Sequence, residues 1–175
     1  MHRNQIRRLT LTAMFIALGY LLPFLTGQIP QVGAVLSPMH IPALLCGFVC
    51  GWQYGLVAGA IMPLLRSATL GMPPFPTDAV PMAFELAAYG CAAGLLYRAL
   101  PKHIAFVYVT LVLSMLIGRA VWGLASAVLM MGTENVFTTQ AFLAGAFINA
   151  WPGIILHILV IPPVVLGLRR AKLMD

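Results

Sequence analysis

LSPMHIPALLCGFVCGWQYGLVAGAIMPLLRSATLGMPPFPTDAVPMAFELAAY, residues 36–89, decides how this chain is read. Two apolar segments, a Pro-rich hairpin and then Asp78 and Glu85 follow one another, and those two carboxylates are half of the protein's 4 acidic residues. His40, Arg66, Asp78 and Glu85 are threaded through sequence that is otherwise compatible with hydrocarbon, where solvation by lipid is costly. Side chains in that position need partners or a ligand.

The rest of the chain has the same character. With 61% hydrophobic and 8% charged residues among 175, and a mean hydropathy of +0.96, it lies outside the composition of soluble domains and reads as an integral membrane protein. The runs 9–25, 104–131 and 141–168 each have the roughly 17–25 apolar residues that cross a bilayer. What remains is short connections, so a single domain over residues 1–175 is expected, with no room for a soluble catalytic or nucleotide-binding unit. The net charge of +6 does not point to nucleic acid, because the basic residues stand in tight groups beside apolar spans, as membrane topology dictates. Cys46, Cys50 and Cys91 form no CxxC pair and have no clustered His, which argues for packing and against a metal site or a disulfide framework. Arg3, Arg7 and Arg8 before an apolar run resemble a signal peptide, but no A-x-A-like cleavage site follows, and a retained first helix is expected.

That first helix runs from about Ile6 to Leu25, and Ala13 and Ala17 form a small-xxx-small pair on it that admits another helix closely. Residues 26–37 are a polar, Gly-containing connection. Residues 39–65 then read either as one helix or as two short ones broken near Gly51–Tyr54, and charge parity decides between them. Two helices bring the total to six and put all eight basic residues of the three end groups, Arg3, Arg7, Arg8, then Arg98, Lys102, then Arg169, Arg170, Lys172, on one side. One long helix gives five spans and throws the last two groups outside. The expected fold is therefore an all-α integral membrane protein of six transmembrane helices with both termini cytoplasmic. Glycines 47, 51, 55 and 59 let the second and third helices pack tightly. The third helix ends near Leu70, the three prolines of Pro73, Pro74 and Pro76 stiffen an external loop, and the fourth helix starts at Thr77 or Asp78 as its cap. The fifth spans about His103–Met130 and the sixth about Thr139–Leu168.

Topology absorbs eight of the 10 Lys and Arg residues, which leaves Arg66 and Arg119. At 1.5 Å rise per residue, Arg66, Glu85, Arg119 and Asn149 stand roughly 6 to 16 Å from the outer ends of four different helices. Trp122, one turn from Arg119, together with Phe84, Tyr89 and Trp151, lies near that depth, and Asp78 shares a face with Glu85. These residues describe a pocket open to the outside. The plainer alternative is a strut, with Arg119 paired to Glu85 only to hold helices together. His40 serves equally well as a structural hydrogen-bonder or a ligand contact, and His157 reads as structural. GxxxxGK[ST], HExxH and GxSxG are all absent from the sequence, so ATP hydrolysis or a metal-dependent reaction by this chain is not expected, nor is a cofactor.

Ala13-xxx-Ala17, SPMHIPALLCGF, PLLRS, GMPP, MAFELAAYG and GRAVWG together resemble the S component, the substrate-binding membrane subunit, of an energy-coupling factor (ECF) type vitamin ABC importer. The resemblance implies a chain in a prokaryotic cell membrane that captures a small water-soluble vitamin or vitamin precursor from outside and works with a transmembrane coupling protein and two ATPase subunits. It implies that Ala13 and Ala17 meet the coupling protein. Two buried arginines favour an anion such as pantothenate or niacin, through bidentate hydrogen bonds. Glu85 and the aromatics suit a vitamin B6 form or a thiamin-precursor pyrimidine equally well. The competing functions are a self-sufficient secondary carrier, for which no internal repeat is visible, and a small membrane-embedded enzyme using Glu85 or His40.

The parity reading is checked by labelling. Cysteines placed at Gln53 and Lys102 should react from the cytoplasmic side, and at Gly71 and Glu134 from outside; protection of position 53 from both sides would remove the extra span.

Overall fold

The computed structural model describes residues 2–25, 35–131, 138–148, 150–171 and 174. Among them there is no strand. The elements are α1 (His2–Leu25), α2 (His40–Cys50), α3 (Trp52–Leu70), α4 (Ala79–Ala99), α5 (Ile104–Met130), the short α6 (Thr139–Leu143), a π-helical turn (Ala144–Ile148) and α7 (Trp151–Arg170). Four stretches, Asn4–Leu25, Ala79–Ala99, Ile104–Met130 and Trp151–Arg170, are long and apolar enough to cross a membrane.

The choice between one helix and two in residues 39–65 is resolved at a single residue. Gly51 adopts φ 100 and ψ 170, ending α2 with its N–H on Gly47 O and starting α3 directly behind it. A positive φ with extended ψ is accessible essentially only to glycine. The second helix is shorter than a span: its 11 residues rise roughly 16 Å, about half the thickness of the hydrocarbon core. The sixth predicted helix is not continuous either, since a five-residue α-helical piece passes into a π-helical turn before α7 begins. Asp78 stands at the N-cap position of α4 as expected, yet its side chain makes no capping hydrogen bond.

Helix α4 is the centre of the bundle, packed against α2, α3 and α5, while α1 covers α2 and α3, and α7 covers α2 and α5. Its burial depends on glycine: the series brings α2 and α3 together as expected, a Cβ at Gly55 falling 2.7 Å from Gly47 Cα, and it also admits α4. A Cβ at Gly47 would lie 2.3 Å from Gly90 O, at Gly59 2.2 Å from Leu86 O, and at Gly90 2.2 Å from Gly55 O. Backbones at that separation leave no room for a methyl group and gain dispersion contacts in its place. The apolar core then fills with Phe15, Leu44, Met62, Leu86, Tyr89, Leu111 and Ile161, one or more from each of α1, α2, α3, α4, α5 and α7.

Gly90→Leu should therefore drive α3 and α4 apart, lowering the thermal midpoint in detergent by the equivalent of at least about 1–3 kcal/mol of overpacking. Gly167→Ala, where a Cβ meets nothing within 4 Å, is the control and should leave it unchanged or raised.

Candidate functional site

Glu85 and Tyr89 lie one turn apart on α4, and the Tyr89 hydroxyl donates to Glu85 Oε1 at 2.9 Å. Both are buried, with Glu85 2% exposed. A carboxylate in that position needs a counter-charge, and α5 provides it: Arg119 Nη1 stands 2.9 Å from the same oxygen. Gly118, the residue before Arg119, makes the approach possible, since a Cβ there would fall 2.0 Å from the Tyr89 ring. From α2 comes His40, with Nε2 3.5 Å from Glu85 Oε1 and its ring tilted against Tyr89 at 5.3 Å between centroids.

The fourth helix in the cluster is α7, which contributes His157. Its imidazole stacks on that of His40, with centroids 5.9 Å apart and planes 20° apart, and its Nε2 lies 3.3 Å from Ser37 O. A carbonyl only accepts, so Nε2 carries the proton, and in the neutral ring Nδ1 is a bare acceptor. Ser37 is held at φ 46, in the left-handed region that non-glycine residues rarely enter, and its carbonyl also receives the N–H of His40. Gly153 brings α7 onto the helical residues just ahead of Ser37: a Cβ there would lie 2.6 Å from Val35 O. The irregular backbone that precedes α2 is thus packed against α7 beside the buried charges. Irregular backbone at membrane depth is tolerated only where protein or a cavity surrounds it.

The polar groups of this cluster are incompletely satisfied. Arg119 Nε and the Nδ1 atoms of His40 and His157 are buried without a hydrogen-bond partner, and His40 Nε2 has only its 3.5 Å approach to Glu85 Oε1. Unpaired buried polar groups cost stability, and here they are concentrated around one ion pair.

Of the residues expected at the site, Glu85, Arg119, His40 and Tyr89 come together. Trp122 stands one turn along α5 from Arg119, half-buried, with its ring stacked on Phe142 at 6.3 Å. Arg66 belongs elsewhere. It is buried against α1, where Nη1 donates to Tyr20 O at 3.0 Å and the guanidinium lies over the Phe24 ring at 5.3 Å. Asp78 is exposed, as are Trp151 at 60% and Phe84 at 57%, so none of the three joins the buried cluster. Asn149 lies outside the described residues. His157, read from sequence as structural, is in the cluster; the signal available was its ionisable ring in the strongly apolar run of α7. All three cysteines are free, and Cys46 Sγ reaches Thr12 Oγ1 at 3.8 Å in the α1–α2 contact. Among the described residues no group of His, Cys, Asp and Glu is placed to hold a metal ion.

Compared with known proteins, residues 7–165 match the family model described as ECF transporter, substrate-specific component. The chain belongs to that family and is a substrate-specific component of an ECF importer, a membrane subunit that binds substrate and works with an ECF module. No curated protein and no solved structure matches it.

Removing one partner of the central pair leaves a buried, uncompensated charge. Arg119→Met should destabilise the protein in detergent by about 3–5 kcal/mol, and adding Glu85→Gln to it should recover most of that loss. Thermal unfolding of the single and double variants measures the difference, and additive losses would mean that the two side chains do not interact.

Proposed function

We propose that the network centred on Glu85, with Arg119, His40, Tyr89 and His157, is the substrate site of this S component, and that it captures a small water-soluble vitamin or vitamin precursor from outside a prokaryotic cell. The observation that carries this reading is the group of unpartnered buried nitrogens around the Arg119–Glu85 pair. A pure strut would be expected to satisfy itself, because a half-satisfied buried network is less favourable than an apolar core. The position of the group within broken elements supports the same reading, since discontinuous helices build substrate sites in transporters by turning free backbone toward a ligand. Trp122 stands near enough along α5 to contribute an aromatic wall.

The whole chain, 1–175, acts in this proposal as one domain that crosses the membrane six times with both termini in the cytoplasm. Because α2 is about half a span long, its N-terminal His40 comes to mid-membrane depth, and that brings it level with Glu85. ATP hydrolysis falls to two separate ATPase subunits, and a transmembrane coupling protein transmits it. Ala13 and Ala17 fit its docking surface. Both are exposed on α1 beside exposed Met14 and Leu18, whereas Thr12, Phe15 and Gly19 face α2 and α3.

Binding and coupling are separable on this reading. Ala13→Trp and Ala17→Trp should abolish uptake in cells while leaving ligand affinity of the purified protein within about twofold, because a bulky ring on the outer face of α1 blocks helix approach without touching the site. Uptake that persists would move the docking surface elsewhere; lost affinity would place α1 at the site.

A further inference from the structure

Two balances can be drawn up for the site, one of charge and one of hydrogen-bonding capacity, and this inference rests on the assignment of the Glu85 network as the substrate site. For charge, the titratable groups that face the network among the described residues are Glu85 and Tyr89 from α4, Arg119 from α5, His40 from α2 and His157 from α7. Arg66, which would have made the site cationic, is engaged by the end of α1. Arg119 already holds its counter-ion at 2.9 Å. The Tyr89 hydroxyl is an uncharged donor to Glu85, and His40 directs Nε2 at the same carboxylate oxygen from 3.5 Å, so any charge on it is already met there. The ion pair at the centre of the network sums to zero. An anionic ligand would bring a second negative charge beside a carboxylate that is 2% exposed, with no free cation to meet it.

The hydrogen-bonding balance points the same way by an independent route. Arg119 Nε is an unpartnered donor, which calls for an acceptor on the ligand. His157 Nδ1, with Nε2 committed to Ser37 O, is an unpartnered acceptor in the neutral ring and calls for a donor. His40 directs Nε2 at Glu85 Oε1 from 3.5 Å and leaves Nδ1 without a partner, a further acceptor when Nε2 carries the proton. A carboxylate or phosphate only accepts and leaves the imidazole acceptors empty. A ligand that carries donors and acceptors on one edge, as a hydroxyl- or amide-bearing heteroaromatic ring does, satisfies both kinds.

We infer that the site selects an uncharged polar ligand with both donor and acceptor groups, a substituted nitrogen heteroaromatic being the best-fitting class, and that Glu85 is the residue that rejects anions by neutralising Arg119. His157 becomes a specificity-determining residue through its free Nδ1. The lean toward an anion drawn from two buried arginines does not survive the separation of Arg66 from Arg119.

The test uses pairs of probes that share a skeleton and differ in charge: nicotinamide and nicotinate, pantothenol and pantothenate, pyridoxine and 4-pyridoxate. Binding to the full-length purified protein is read by the shift of its thermal midpoint at millimolar probe and then by titration, near neutral pH. In the wild type the best binder should be a neutral member, tighter than its anionic partner by more than about tenfold. In Glu85→Gln, where Arg119 is released, the preference of that pair for the neutral member should fall by more than about tenfold or reverse. An anionic best binder, or no stabilisation by any neutral member, overturns the inference. The underlying site assignment is judged separately. If an anion binds best and Arg119→Met abolishes its binding, the site stands and the selectivity inference falls. If a probe binds and its affinity is unchanged by both Glu85→Gln and Arg119→Met, the site assignment falls, and the inference with it.

Discussion

A carboxylate enclosed in an apolar helical bundle must be met by counter-charge and donors, and much of this structure is arranged around meeting Glu85. Arg119 supplies the charge, Tyr89 a hydroxyl, and His40 stands at the edge of hydrogen-bonding reach. Each requirement constrains a different element. Arg119 can reach because Gly118 lets the Tyr89 ring lie flat against α5. His40 can reach because α2 starts late, behind an irregular segment that α7 grips through His157 and, just ahead of it, through Gly153. An ion pair of this kind is poor evidence of stabilisation, since its desolvation cost offsets most of the Coulombic gain. On the proposed reading its value lies in the unpartnered buried nitrogens that surround it, contributed by three helices.

The scaffold that holds the pair is built by subtraction. Glycines 47, 55, 59 and 90 remove the side chains that would separate α4 from α2 and α3, and α4 sinks to the centre. That placement buries Glu85 on its inward face while Phe84, the next residue back, points out at 57% exposure. Rigid close packing on one side of α4 and incompletely satisfied polar groups on the other give a frame that stays put and, on the proposed reading, a site that gains from occupancy. The second is what a capture subunit of an ECF importer requires, because ligand binding then supplies hydrogen bonds that the empty protein lacks.

Much of the arrangement was legible in the sequence. Charge parity located the break in residues 39–65, and the structure places it at Gly51, the one residue type for which φ 100 with ψ 170 is unstrained. The pairing of Glu85 with Arg119 followed from depth along two helices, because unpaired charges at similar depth in hydrocarbon find one another. Depth alone, however, says nothing about direction around a helix axis, and there the reading ran out. Arg66 has the right depth and faces α1, where the Tyr20 carbonyl and the Phe24 ring engage it. Trp151 and Phe84 face outward for the same reason. The contact of His157 with His40 was not legible because its position was counted along one continuous sixth helix, whereas the π-helical turn before α7 and the irregular entry to α2 change what it meets.

The central claim is that the Glu85 network is where substrate binds, and an experimental density map of the protein with its bound substrate tests that most directly. The account predicts ligand density within hydrogen-bonding distance of Arg119 Nε and of an imidazole nitrogen of His40 or His157, with the Arg119–Glu85 contact kept or exchanged for a ligand contact. Ligand density elsewhere in the bundle, with those nitrogens still buried and unpartnered, would contradict it.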